Sequence, residues 1–108
     1  MTTVQDVDRD FVLAAMKAGA ILVDALPAAP FARRHLPGAL NIVAEDQDAD
    51  VEDALPDPSA AIITYSTDKD CDRGPALAAR LITLGYTDVR HYRAGISDWV
   101  AAGLPVSN

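Results

Sequence analysis

The sequence predicts an α/β domain with a mostly parallel sheet flanked by helices, and three observations predict it. Residues 20–24 and 60–65 are short, nearly continuous apolar runs, the pattern of strands buried on both faces. Segments at about 8–18 and 75–84 place apolar residues at helical spacing and stop at Gly19 and Gly85. Strand and helix patterns alternate with short links, which is the arrangement that builds parallel sheets.

Asp6, Asp8 and Asp10 crowd the start of the first predicted helix, where negative charge suits the helix dipole, and Asp6 or Asp8 serves as its N-cap. Phe11, Val12, Ala15 and Met16 fall on one face of it. The run Ala20-Ile21-Leu22-Val23-Asp24 is the first buried strand, with Asp24 where the chain emerges. Pro27, Pro30 and Pro37 predict loop up to a brief strand at 40–43. Six of the nine residues from Glu45 to Asp53 are acidic, the composition of a solvated loop or short exposed helix. The second buried strand spans 60–64. The helix after it carries Leu77, Leu81 and Leu84 in one stripe and Pro75 in its first turn, where the missing N–H costs nothing. A third strand at 88–92 and a short helix at 97–102, closed by Gly103 and Pro105, complete the chain.

With 108 residues, all of 1–108 reads as one domain, and with half of them hydrophobic it has enough apolar material for a core. A net charge of −7 argues against nucleic acid and anionic membrane surfaces as partners. One cysteine makes no internal disulfide, and no Cys/His cluster has zinc spacing, so neither a metal nor another cofactor is expected. The N-terminus has no secretory signal pattern, and no apolar run approaches the ~20 residues that span a bilayer. The expected location is the cytoplasm. Nothing in the sequence sets an oligomeric state.

Chemistry is expected at the loop 66–73. It joins the end of a strand to a helix N-terminus, where free N–H groups and the helix dipole favour an anion, and it contains the only cysteine, Cys71. A thiol so placed is biased toward thiolate. Asp24 lies at the same carboxyl edge of the sheet, where such folds keep their sites.

These residues resemble the rhodanese-homology family over nearly the whole chain. Leu22-Val23-Asp24 resembles that family's first core strand, and His35-Leu36-Pro37-Gly38-Ala39 its Gly-His-Ile-Pro-Gly-Ala segment. Ile62-Ile63-Thr64-Tyr65 resembles the strand before the active loop, and residues 81–89 the helix and strand after it. Residues 94–106 resemble the closing Gly-Gly-x-x-x-Trp-x-x-Ala-Gly-Leu-Pro-Val. The resemblance implies a three-layer domain around a five-stranded parallel sheet. It also implies sulfur transfer: in active members a Cys directly after the Tyr takes sulfur as a persulfide, loop N–H groups hold the charge, and a loop Arg binds an anionic donor such as thiosulfate or a persulfide.

This chain departs from the pattern at that position, which is Ser66. A hydroxyl has no comparable route to a persulfide, so Ser66 is a hydrogen-bond donor rather than a sulfur nucleophile. Arg73 falls at the loop Arg, in a loop about two residues longer than the sulfurtransferase pattern. Arg73-Gly74-Pro75 is similar to the longer loop of rhodanese-fold phosphatases and arsenate reductases, which also need the Cys that Ser66 replaces. Cys71 is then the candidate nucleophile. Ser66, Thr67, Asp68, Lys69, Asp70, Asp72, Arg73 and Gly74 form the candidate anion site, with Asp24 and His35 in support. Three carboxylates, Asp68, Asp70 and Asp72, are expected to oppose thiolate formation. Leu26 stands where many members carry Arg, while Arg33 and Arg34 flank the same edge. The readings are an atypical sulfurtransferase or persulfide carrier acting through Cys71, and a binding or regulatory module that has lost its nucleophile.

Overall fold

A computed structural model describes residues 4–108. Five parallel strands form one sheet: β1 (Gln5–Val7), β2 (Ile21–Asp24), β3 (Leu40–Asn41), β4 (Ile62–Tyr65) and β5 (Val89–Tyr92), in the spatial order β1-β5-β4-β2-β3. The helices are α1 (Arg9–Lys17), α2 (Ala28–Arg33), α3 (Asp48–Ala54), α4 (Arg73–Thr83) and α5 (Gly95–Ala101). In β4, the period-2 alternation of a strand sends Ile62 to one face and Ile63 to the other. Ile62 joins Val23, Val51, Leu55, Leu77 and Leu81, which pack α3 and α4 on the sheet. Ile63 joins Val12, Leu22, Leu36, Tyr92, Ile96 and Trp99, which pack α1 and α5 on the other face. Both β2 and β4 therefore carry apolar residues on both faces, which is why they are legible as nearly continuous runs.

The structure corrects several sequence expectations. Asp6 is no helix cap, because it lies within β1 and pairs with His91 of β5; the cap is Asp8, whose carboxylate accepts the Phe11 N–H at 2.9 Å. β1 escapes a pattern search because it is a three-residue edge strand with two exposed residues. Phe11 is turned outward, under the Arg90 guanidinium, while Val12 is buried and Ala15 and Met16 pack partly buried on the core as expected. The proline-rich segment holds α2, which buries none of its residues and so writes no periodicity; Pro30 falls in its first turn, where no N–H is needed. The acidic run forms α3, anchored by Val51. β3 is shorter than 40–43, while α4 starts two residues before Pro75 and α5 two before Ser97.

The sheet carries β2 and β4 in register, with Asp24 beside Tyr65, so both strands deliver their last residues to one edge. The loop 66–72 leaves that edge and runs directly into α4.

Candidate functional site

Ser66 is 1% exposed and sits on the floor of the loop. Its hydroxyl oxygen accepts the N–H of Gly74 at 3.2 Å, tying the start of the loop to the first turn of α4. The N-terminus of α5 holds the loop from the other side: Ile96 N–H donates to the Ser66 carbonyl at 3.0 Å and Ser97 N–H to that of Thr67 at 2.9 Å. Because a trans peptide points its N–H opposite to its C=O, turning those two carbonyls onto α5 turns the N–H groups of Thr67 and Asp68 away from it. Gly95 permits this close approach. Its φ is +68°, and a Cβ there would stand 2.5 Å from the Ser66 carbonyl oxygen.

Cys71 is partly buried, and its thiol faces this arrangement. Burial pushes the thiol pKa up, but the Ser66 hydroxyl, the N–H groups of Arg73 and Thr67 and the Thr67 hydroxyl outweigh it and hold the pKa below the ordinary thiol value. These groups act on sulfur as a charge; no aligned hydrogen bond to the neutral thiol is formed among the described residues. The loop carboxylates are not among the groups that shift the thiol. Asp68 instead caps its own turn, its carboxylate accepting the Asp70 N–H at 3.0 Å and its carbonyl the Cys71 N–H at 3.1 Å. Lys69, Asp70 and Asp72 are exposed to solvent, which screens their charge.

Arg73 opens α4, and its guanidinium lies 3.6 Å from the carboxylate of Glu45. Its partner thus comes from the acidic run before α3, not from the loop. Gly74 is buried behind the loop, where Thr64 Oγ1 donates to its carbonyl at 3.1 Å and the His91 ring lies against its Cα. His91 is buried, with Nδ1 at 3.2 Å from both Thr64 Oγ1 and the Thr64 carbonyl, and burial holds its pKa below the usual imidazole value.

Asp24 and His35 are not part of the loop. Asp24 is fully buried at the edge of β2; one carboxylate oxygen accepts the Leu26 N–H at 2.8 Å and burial raises its pKa. His35 stacks on Phe31 with ring centroids 3.9 Å apart, its Nδ1 lies 2.8 Å from the Phe31 carbonyl, and its backbone pairs with Ser107. Sequence reasoning gave no role to Thr64, Glu45 or Gly95. Thr64 was hidden inside an apolar strand, and Glu45 was one acid among six.

A model of the rhodanese-like domain matches residues 8–102. The chain belongs to the rhodanese-like family. Among solved structures, this rhodanese-like chain is similar to a protein from Bacillus halodurans, with 26% identity, a TM-score of 0.85, and coverage of 96% of this chain and 77% of that one. It is also similar in fold to a rhodanese-like domain from Anabaena sp., with 20% identity, a TM-score of 0.79, and coverage of 99% and 80%. A rhodanese-related protein from Thermoplasma volcanium gives 16% identity, a TM-score of 0.76, and coverage of 95% and 97%. Among curated proteins, none matches the sequence. No helix among the described residues of this rhodanese-like chain is long and apolar enough to cross a membrane, and no group of three or more metal-ligating side chains is formed among them.

Proposed function

We propose that this rhodanese-like protein is an atypical sulfurtransferase or persulfide carrier whose nucleophile is Cys71. The observation that carries the reading is the Cys71 thiol facing the Ser66 hydroxyl and the N–H groups of Thr67 and Arg73, which favour its anion. The Cys71 thiolate attacks the outer sulfur of a small anionic donor such as thiosulfate. A new S–S bond forms, the donor's S–S bond breaks, and sulfite leaves with the electron pair. The product, Cys71–S–S⁻, carries the same charge as the thiolate one atom further out. A thiophilic acceptor then takes the outer sulfur and returns Cys71 to the thiolate. Ser66 contributes a hydrogen bond and Arg73 a positive charge, while Asp24 and His35 support the edge around them.

Intact mass spectrometry after incubation with thiosulfate tests this. The expected result is a gain of ~32 Da, one sulfur atom, that is absent in Cys71→Ser. No adduct, with no thiocyanate formed when cyanide is the acceptor, overturns it.

The second reading is a binding or regulatory module that keeps the fold without turnover. Ser66 at the family's catalytic position and the Glu45 carboxylate at Arg73 favour it. Under that reading anions bind the loop and no sulfur is retained.

A further inference from the structure

Beside the loop, at the same edge of the sheet, lies a cleft of about 360 Å³ lined by Leu26, Pro30, Arg33, Arg34, Thr67 and Ile96. Its volume falls in the range of pockets that hold small organic molecules, about 300–1,000 Å³, and leaves room for more than a sulfur oxyanion. Thr67 lines the cleft and its N–H and hydroxyl also act on the Cys71 sulfur, so one residue borders both.

The two arginines are unlike the others in this chain. Arg9, Arg73, Arg80, Arg90 and Arg93 each lie within 4.0 Å of a carboxylate. Arg33 and Arg34 make no such pair and no side-chain hydrogen bond among the described residues. In a protein with sixteen acidic residues and a net charge of −7, adjacent unneutralised cations are not the default. Their position at the end of α2 complements that helix's dipole, but this leaves the guanidinium donors free. The rest of the lining, Leu26, Pro30 and Ile96, is apolar, so the cleft combines a loop residue that borders the sulfur, a carbon surface and a pair of anion receptors.

We propose that this cleft is the subsite for the thiol that takes sulfur from Cys71, and that Arg33 and Arg34 select thiols bearing a carboxylate set off from their sulfur by a short carbon chain. The inference rests on the carrier reading above. The acceptor thiolate attacks the outer sulfur of the Cys71 persulfide, its own S–S bond forms, and the Cys71–S bond breaks with the electron pair returning to Cys71. The protein's overall negative field repels such a ligand, so recognition depends on these local cations.

The test compares 3-mercaptopropionate with 2-mercaptoethanol as acceptors, using protein loaded to equal extent with sulfur and following loss of the added mass. The ratio of the two discharge rates falls about tenfold in Arg33→Ala/Arg34→Ala, the size expected of two solvent-exposed charge contacts. An unchanged ratio overturns the proposal. So does slower loading by thiosulfate with the acceptor ratio intact, which assigns the cleft to the donor. A binding measurement separates this inference from the carrier reading. In Cys71→Ser protein, 3-(methylthio)propionate is expected to shift the amide NMR signals of Leu26, Thr67 and Ile96, and the double variant to lose those shifts. If no persulfide forms but the shifts appear, the cleft survives and the carrier reading falls. If the shifts are absent or survive the double substitution, the cleft proposal falls.

Discussion

The ring of His91 occupies the space that a side chain on Gly74 would need: a Cβ built on Gly74 would lie 2.3 Å from His91 Cε1 and 3.0 Å from Ser66 Oγ. Gly74 therefore fits against β5 because it lacks a side chain, while its N–H and carbonyl bond Ser66 and Thr64. Gly74→Ala is expected to cost about 1–3 kcal/mol, the usual range for overpacking a filled interior. Urea denaturation checks this. In a His91→Ala background the same substitution costs distinctly less, because the obstructing ring is gone. An equal cost in both backgrounds refutes the clash.

His91 also makes stability depend on pH. Burial holds its folded pKa below the unfolded value of 6.5. The unfolded chain then binds a proton that the native state resists, so more protons are bound in the unfolded state and stability rises with pH. The contribution is complete above about pH 6.5 and is lost as pH falls through the folded pKa. Unfolding free energy measured from pH 8 down to pH 5 is expected to decline, and His91→Gln to flatten that decline. Identical slopes in the two proteins remove His91 from the account.

How much of this was legible depended on what each segment buries. β2 and β4 announce themselves because both faces are covered, as does the leucine stripe of α4. β1 and α2 bury one residue and none, so no periodicity marks them, and the fifth strand was expected only through the family resemblance. At the site, the loop and its cysteine stand out as composition. The orientation of the Thr67 N–H does not, because it is set by the α5 N–H group that turns the Ser66 carbonyl. Asp68 lies near Cys71 in the sequence, but its carboxylate accepts the backbone N–H two residues on, an arrangement that residue order does not display.

Ser66 is expected to tune the thiol rather than to react. It donates toward the Cys71 anion and accepts the Gly74 N–H. In Ser66→Ala the Cys71 pKa moves up, and alkylation by iodoacetamide at neutral pH slows severalfold, with the midpoint of its pH profile displaced toward alkaline. The variant also leaves the buried Gly74 N–H without a partner, a cost of about 1–3 kcal/mol visible in denaturation. A pH profile that coincides with that of the unsubstituted protein refutes the role. Ser66→Cys is the complementary change: it puts a thiol at the family's catalytic position, and a gain in sulfur transfer is expected if the loop still has the shape that chemistry needs.

Under the carrier reading, Glu45 and an anionic sulfur donor are expected to compete for the Arg73 guanidinium. The Arg73 to Glu45 pair, at 3.6 Å and largely open to water, is weak enough to be displaced, worth about 0.2–1 kcal/mol as exposed pairs go. Glu45→Gln removes the competitor and one negative charge near the loop. Sulfur loading from thiosulfate is expected to quicken by about two- to fivefold at low ionic strength, the rate equivalent of that energy. The advantage shrinks in about 0.5 M salt, where the screening length is only a few ångströms. Arg73→Gln slows loading, and in that background Glu45→Gln brings little further change, since the cation it would release is missing. Comparable acceleration with and without Arg73 would mean that Glu45 acts through the general field of the protein and not through this arginine.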